Sequence, residues 1–89
     1  MEIDLQTVWR VFDDVLSGRM SREQADRWAY SVVQNEEAGA LAYLPSSDKQ
    51  RIWSGVMYLH GLDAMKSPGE YLHTDEDIRA AMKAKLGEL

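Results

Sequence analysis

Apolar residues recur at intervals of three and four along the first part of the chain. Leu5, Val8, Trp9, Phe12, Val15 and Leu16 share one side of a helix drawn from about Asp4 to Ser17, the spacing with which an amphipathic helix buries one stripe. Asp4 stands where an N-cap would accept from the first free amides. A second stripe of Ala25, Trp28, Ala29 and Val32, widened by Val33, predicts a helix from Arg22 to about Gln34, with Asn35 as its stop. The segment between them is Leu16-Ser17-Gly18-Arg19-Met20-Ser21-Arg22-Glu23-Gln24. Gly18 suits a left-handed helix end, and Ser21 with Gln24 has capping-box spacing. Met20, just before that cap, can pack on Ala25. So short a connection sets the two helices side by side and antiparallel.

The pattern then loosens. Glu36 to Ala40 reads as a solvated turn, and Leu41, Tyr43 and Leu44 are apolar enough to pack down before Pro45 or to extend a short helical turn. Ser47 with Gln50 suggests a second capping box, opening a helix from Asp48 to about His60. Its apolar positions, Ile52, Trp53, Val56, Met57, Leu59 and His60, cover a face broad enough to pack on two sides. Gly61 is its stop. Leu62 to His73 reads as a long connection whose Ser67-Pro68-Gly69-Glu70 has the Pro and Gly placement of a type II turn. The last helix is capped by Thr74, receives Asp75, Glu76 and Asp77 at its positive end, continues through Ile78, Ala81, Met82, Lys85 and Leu86, and ends at Gly87. The expected architecture is one all-α domain over residues 1–89, an antiparallel four-helix bundle with a long loop before the last helix.

Composition narrows the function. The absence of Cys excludes disulfides and thiolate metal sites, and no apolar run approaches the length of a membrane span. Met1 leads straight into an acidic amphipathic pattern without a secretion signal. These features point to the cytoplasm and away from membrane partners. A net charge of −5 argues against a general nucleic-acid binder and suits a basic protein partner.

Catalytic chemistry finds little footing. His60 and His73 lack metal-ligand spacing, so no metal and no cofactor is expected. His60 reads as a core or boundary residue, and His73 as a local packing group. Adjacent acids such as Asp13-Asp14, Glu36-Glu37 and Asp75-Glu76-Asp77 point in different directions on a helix and make poor acid–base pairs. No nucleophile elbow, phosphate loop or calcium loop is present, and the chain reads as a non-enzyme. A DNA-binding helix-turn-helix can be imitated by the first two helices, but the second balances Arg22 and Arg27 with Glu23 and Asp26 and shows no basic stripe. An adaptor offering Trp28, Trp53 or Tyr71 is a further alternative, although Trp at helical spacing usually belongs to a core.

The run Leu16-Ser17-Gly18-Arg19, the following Met20-Ser21-Arg22-Glu23-Gln24 with Trp28-Ala29, and the later Gly69-Glu70-Tyr71-Leu72-His73-Thr74-Asp75-Glu76-Asp77-Ile78 resemble the bacterial immunity proteins of the colicin D immunity family. That resemblance implies a bacteriocin or contact-dependent-inhibition immunity protein, a monomer or weak dimer, that neutralises a cognate toxin. A tRNA-cleaving nuclease is the implied target, its basic cleft covered by acidic groups. Glu36, Glu37, Asp63, Glu70, Asp75, Glu76 and Asp77 are the expected partner-binding residues, with Tyr71 as an aromatic anchor. The alternative is a small regulatory or adaptor domain binding DNA or another protein.

Overall fold

The computed structural model describes residues 1–87. Strand β1 (Glu2–Asp4) runs directly into helix α1 (Leu5–Leu16), which Asp4 caps by accepting from the Thr7 amide at 2.8 Å. Gly18, at φ +80°, closes that helix. The reciprocal Ser21–Gln24 capping box then opens α2 (Arg22–Glu37). After β2 (Ala42–Leu44) and a 3-10 turn at Ser46–Asp48 comes α3 (Lys49–Leu59). Strands β3 (Met65–Ser67) and β4 (Glu70–Tyr71) form a hairpin, and Thr74 and Asp77 cap α4 (Asp75–Leu86) in a second capping box.

One core joins the four helices. Val8 and Phe12 of α1, Val32 of α2, Ile52, Val56 and Leu59 of α3, Leu62, and Ile78 and Leu86 of α4 are fully enclosed. Each large apolar side chain so buried contributes about 1.5–3 kcal/mol. Helix α3 is the hub, touching α1, α2 and α4. Gly55 makes that closeness possible, because a Cβ there would lie 2.7 Å from Leu86 Cδ2 and 2.8 Å from Val8 Cγ1.

The all-α expectation is corrected to a mixed α/β fold: four helices are present, with two small sheets beside them. β1 pairs in parallel with β2, Ile3 opposite Tyr43. The Met1 ammonium donates to the Ala40 carbonyl at 2.6 Å, and the Ala42 amide donates to the Met1 carbonyl at 2.8 Å. The segment before Pro45 is therefore a strand, with Leu41 and Tyr43 packed against the core and Leu44 exposed. The expected long loop is largely the β3–β4 hairpin, in which Met65 faces Tyr71 and Gly69 supplies the turn at φ +78°. Three-residue strands are too short to show alternation, and the β1–β2 partners lie on opposite sides of a helical pair.

Smaller corrections have local causes. Asn35 does not stop α2; its amide donates to the Ser31 carbonyl at 2.8 Å and the helix continues to Glu37. Ser47 and Gln50 form no capping box, because the 3-10 turn occupies that place and α3 starts without a side-chain cap. On α1, Val11 is buried while Trp9 remains 36% exposed at the stripe's edge, and Met57 of α3 is exposed as well.

Candidate functional site

The expected acidic site separates into two groups, and most of its members already have partners. At the end of α2, Glu36 accepts from the Tyr43 hydroxyl at 3.0 Å, with exposed Glu37 beside it. Burial, then that hydrogen bond and the carboxylate's charge, push the Tyr43 phenol up to about 12. The other group gathers around Arg22. Its guanidinium lies 4.5 Å above the Tyr71 ring, pairs with Asp75 at 3.2 Å and donates to the His73 carbonyl. The Tyr71 hydroxyl donates to Glu23 at 2.8 Å, which, more than burial, raises its pKa. Asp77 completes the α4 capping box, and acceptance from the Thr74 amide lowers its pKa. Glu70 pairs with Lys66 at 3.0 Å. Glu76 is exposed in the first turn of α4, and Asp63 sits half-buried just beyond α3. Tyr71 and Asp75 thus tie the hairpin, α2 and α4 together, and Asp77 caps α4.

The two histidines occupy joints. His60 Nδ1 lies 3.2 Å from Asp26 Oδ1, which also accepts from the Gly61 amide at 2.6 Å, and Tyr30 stacks on the imidazole. Asp26 thereby ties α2 to the end of α3. The His73 ring tilts against Tyr58, their centroids 5.1 Å apart.

A cationic face was not among the expected sites. Neither Lys49–Leu62 nor Ile78–Gly87 contains an acidic residue, yet together they hold Lys49, Arg51, Arg79, Lys83 and Lys85. The start of α3 and the end of α4 meet. Arg51 donates to the Leu86 carbonyl at 2.8 Å, and Lys85 reaches Ser54 Oγ at 3.3 Å. Between them lies a groove of about 320 Å³ lined by Gln50, Arg51, Ser54, Ala84 and Lys85. Arg51 has Asp48 at 3.1 Å; Lys49, Arg79, Lys83 and Lys85 have no ion-pair partner among the described residues. Elsewhere, Arg19, Arg22 and Lys66 are paired with acids, while Arg10 and Arg27 have no ion-pair partner among the described residues. Counting charge over the whole chain hides this face; scanning for acid-free stretches finds it.

A family model described as "YxzC DNA-binding protein" matches residues 3–84. An uncharacterised protein YxzC of Bacillus subtilis (strain 168) is 29% identical over 69 residues, which is 78% of this chain and 51% of that relative. The chain spans about half the length of the curated relative it matches. No solved structure matches. The family match overturns the resemblance to colicin D immunity proteins, whose shared residues are capping and packing signals that unrelated helical domains also use. The toxin-inhibiting function, the contact-dependent-inhibition setting, the nuclease partner and the exclusion of nucleic acid are corrected with it. Among the described residues, no helix is long and apolar enough to cross a membrane.

Proposed function

The chain belongs to the YxzC DNA-binding protein family, and from that premise we propose that it is a non-catalytic, cytoplasmic DNA-binding module whose α3–α4 face meets the phosphate backbone. The observation that carries this reading is the meeting of α3 with the α4 end, two stretches without acidic residues, where Arg51 and Lys85 line one groove and Asp48, just before α3, pairs with Arg51. Cations so placed neutralise phosphates and release counterions, the main sequence-independent source of affinity for DNA.

The first turns of α3 also present Gln50 and Ser54 on the same groove as Arg51. Gln suits the adenine edge and Arg the guanine edge in the major groove. The arrangement differs from a helix-turn-helix, since β2 and the 3-10 turn separate α2 from α3. It shares with that motif the approach of a helix by its N-terminal half. The net charge of −5 is compatible with this role because acids cluster elsewhere, notably Asp75, Glu76 and Asp77 at the far end of α4. Repulsion of that end would orient the module on the duplex.

Fluorescence anisotropy with a labelled mixed-sequence duplex at low salt tests the proposal. The expected result is saturable binding that Lys85→Gln weakens about threefold, while Glu76→Gln leaves it unweakened. No binding, or equal binding by Lys85→Gln, overturns it.

A further inference from the structure

A second groove lies between the end of α2, β2 and the start of α3, with a volume of about 400 Å³. That is the size of a small-molecule site. Glu36, Tyr43, Ser46, Ser47, Lys49 and Trp53 line it, and Gln50 belongs both to it and to the α3–α4 groove. Its chemistry is ordered. Tyr43 and Trp53 supply aromatic faces. Glu36 receives the Tyr43 hydroxyl on Oε2 at 3.0 Å, and Oε1 has no hydrogen-bond partner among the described residues. Lys49 Nζ sits 5.4 Å from the Tyr43 ring centroid, and no carboxylate pairs with it among the described residues.

We propose that this groove binds a nucleotide with an amino-bearing base, the base lying against Trp53 with its donors toward Glu36 and its phosphate toward Lys49. An ionised carboxylate only accepts hydrogen bonds, so it selects a base edge that donates. Guanine offers a ring N–H beside an exocyclic amine, whereas thymine has no exocyclic amine. Base–aromatic stacking supplies sequence-tolerant affinity, and the lysine supplies a phosphate contact. The ligand is a free mononucleotide or an unpaired nucleotide of a DNA strand, and the latter source alone rests on the DNA-binding reading.

Amide and indole N–H NMR spectra of the full chain, titrated with GMP, TMP, inorganic phosphate and a short guanine-containing single strand, test the proposal. The Trp53 indole signal is assigned with Trp53→Phe, and those of Trp9 and Trp28 serve as internal references. The expected result is saturable shifts at Trp53, Ser46 and Ser47, with TMP about tenfold weaker than GMP. Glu36→Gln, which keeps an acceptor for Tyr43, should weaken GMP about tenfold and abolish the preference over TMP. Saturation by GMP assigns the free nucleotide; saturation by the strand alone assigns the unpaired DNA nucleotide. Absence of saturable shifts with both, equal affinity for GMP and TMP, or the same shifts with phosphate alone overturns the proposal. Duplex binding measured by anisotropy stands or falls separately, through Lys85 on the other groove.

Discussion

Tyr43 joins three parts of the molecule: its backbone pairs with Ile3, its hydroxyl binds Glu36 and its ring lies under Lys49. Burial and the nearby carboxylate hold its phenol neutral until about 12, against an ordinary value of 10.0. The folded chain therefore keeps a proton that the unfolded chain releases between those values, and stability must fall as pH rises through that window. Urea unfolding at stepped alkaline pH should show this decline, and Tyr43→Phe should make it shallower without removing it, because Tyr58 and Tyr71 are also raised. Asp4 and Asp77 act in the opposite direction. Hydrogen bonds at the helix starts hold both carboxyls below their ordinary 3.8. Their contribution is present above that value and is lost as pH falls through their folded pKa values.

Among the elements, α3 has the least freedom. Gly55 faces Val8 and Leu86 at distances that leave no room for a methyl group. Gly55→Ala should cost about 1–3 kcal/mol through overpacking, read as a lower urea midpoint with little change in slope. The helices were legible because their start signals are local: Asp4, Ser21 and Thr74 each accept from a backbone amide three residues on. Ser47 carries the same signal and fails, since the 3-10 turn claims it. The strands were not legible: β1 is three residues long and its partner is remote, while β3 and β4 looked like a loop around a correctly read Pro-Gly turn. The cationic face was missed for a related reason. Arg51 and Lys85 are 34 positions apart in sequence and meet only when α4 returns along α3.

At the scale of the molecule, charge is polarised along α4. Asp75, Glu76 and Asp77 begin it, and Lys83 and Lys85 end it. The acidic end complements the helix's positive pole and the basic end its negative pole, so the polarity that stabilises the helix also produces the proposed binding face. A site using Arg51 and Lys85 neutralises about two phosphates, so the logarithm of the DNA-binding constant should fall with the logarithm of salt concentration at a slope near −2. Lys85→Gln should reduce that slope by about one across unrelated sequences. A slope near zero would remove phosphate contact from the reading.

The parallel pairing of β1 with β2 gives the fold an order in time. Residues at Glu2–Asp4 have no partner until the chain has traversed α1 and α2 and turned back to Ala42–Leu44. Each of these helices is held by local contacts and can form first, while the clasp waits for a long loop to close. What closes late and holds only three residues on each side opens early. Native-state hydrogen exchange would follow that sequence, the Ala42 amide losing protection well before that of Val56 at the centre of the core.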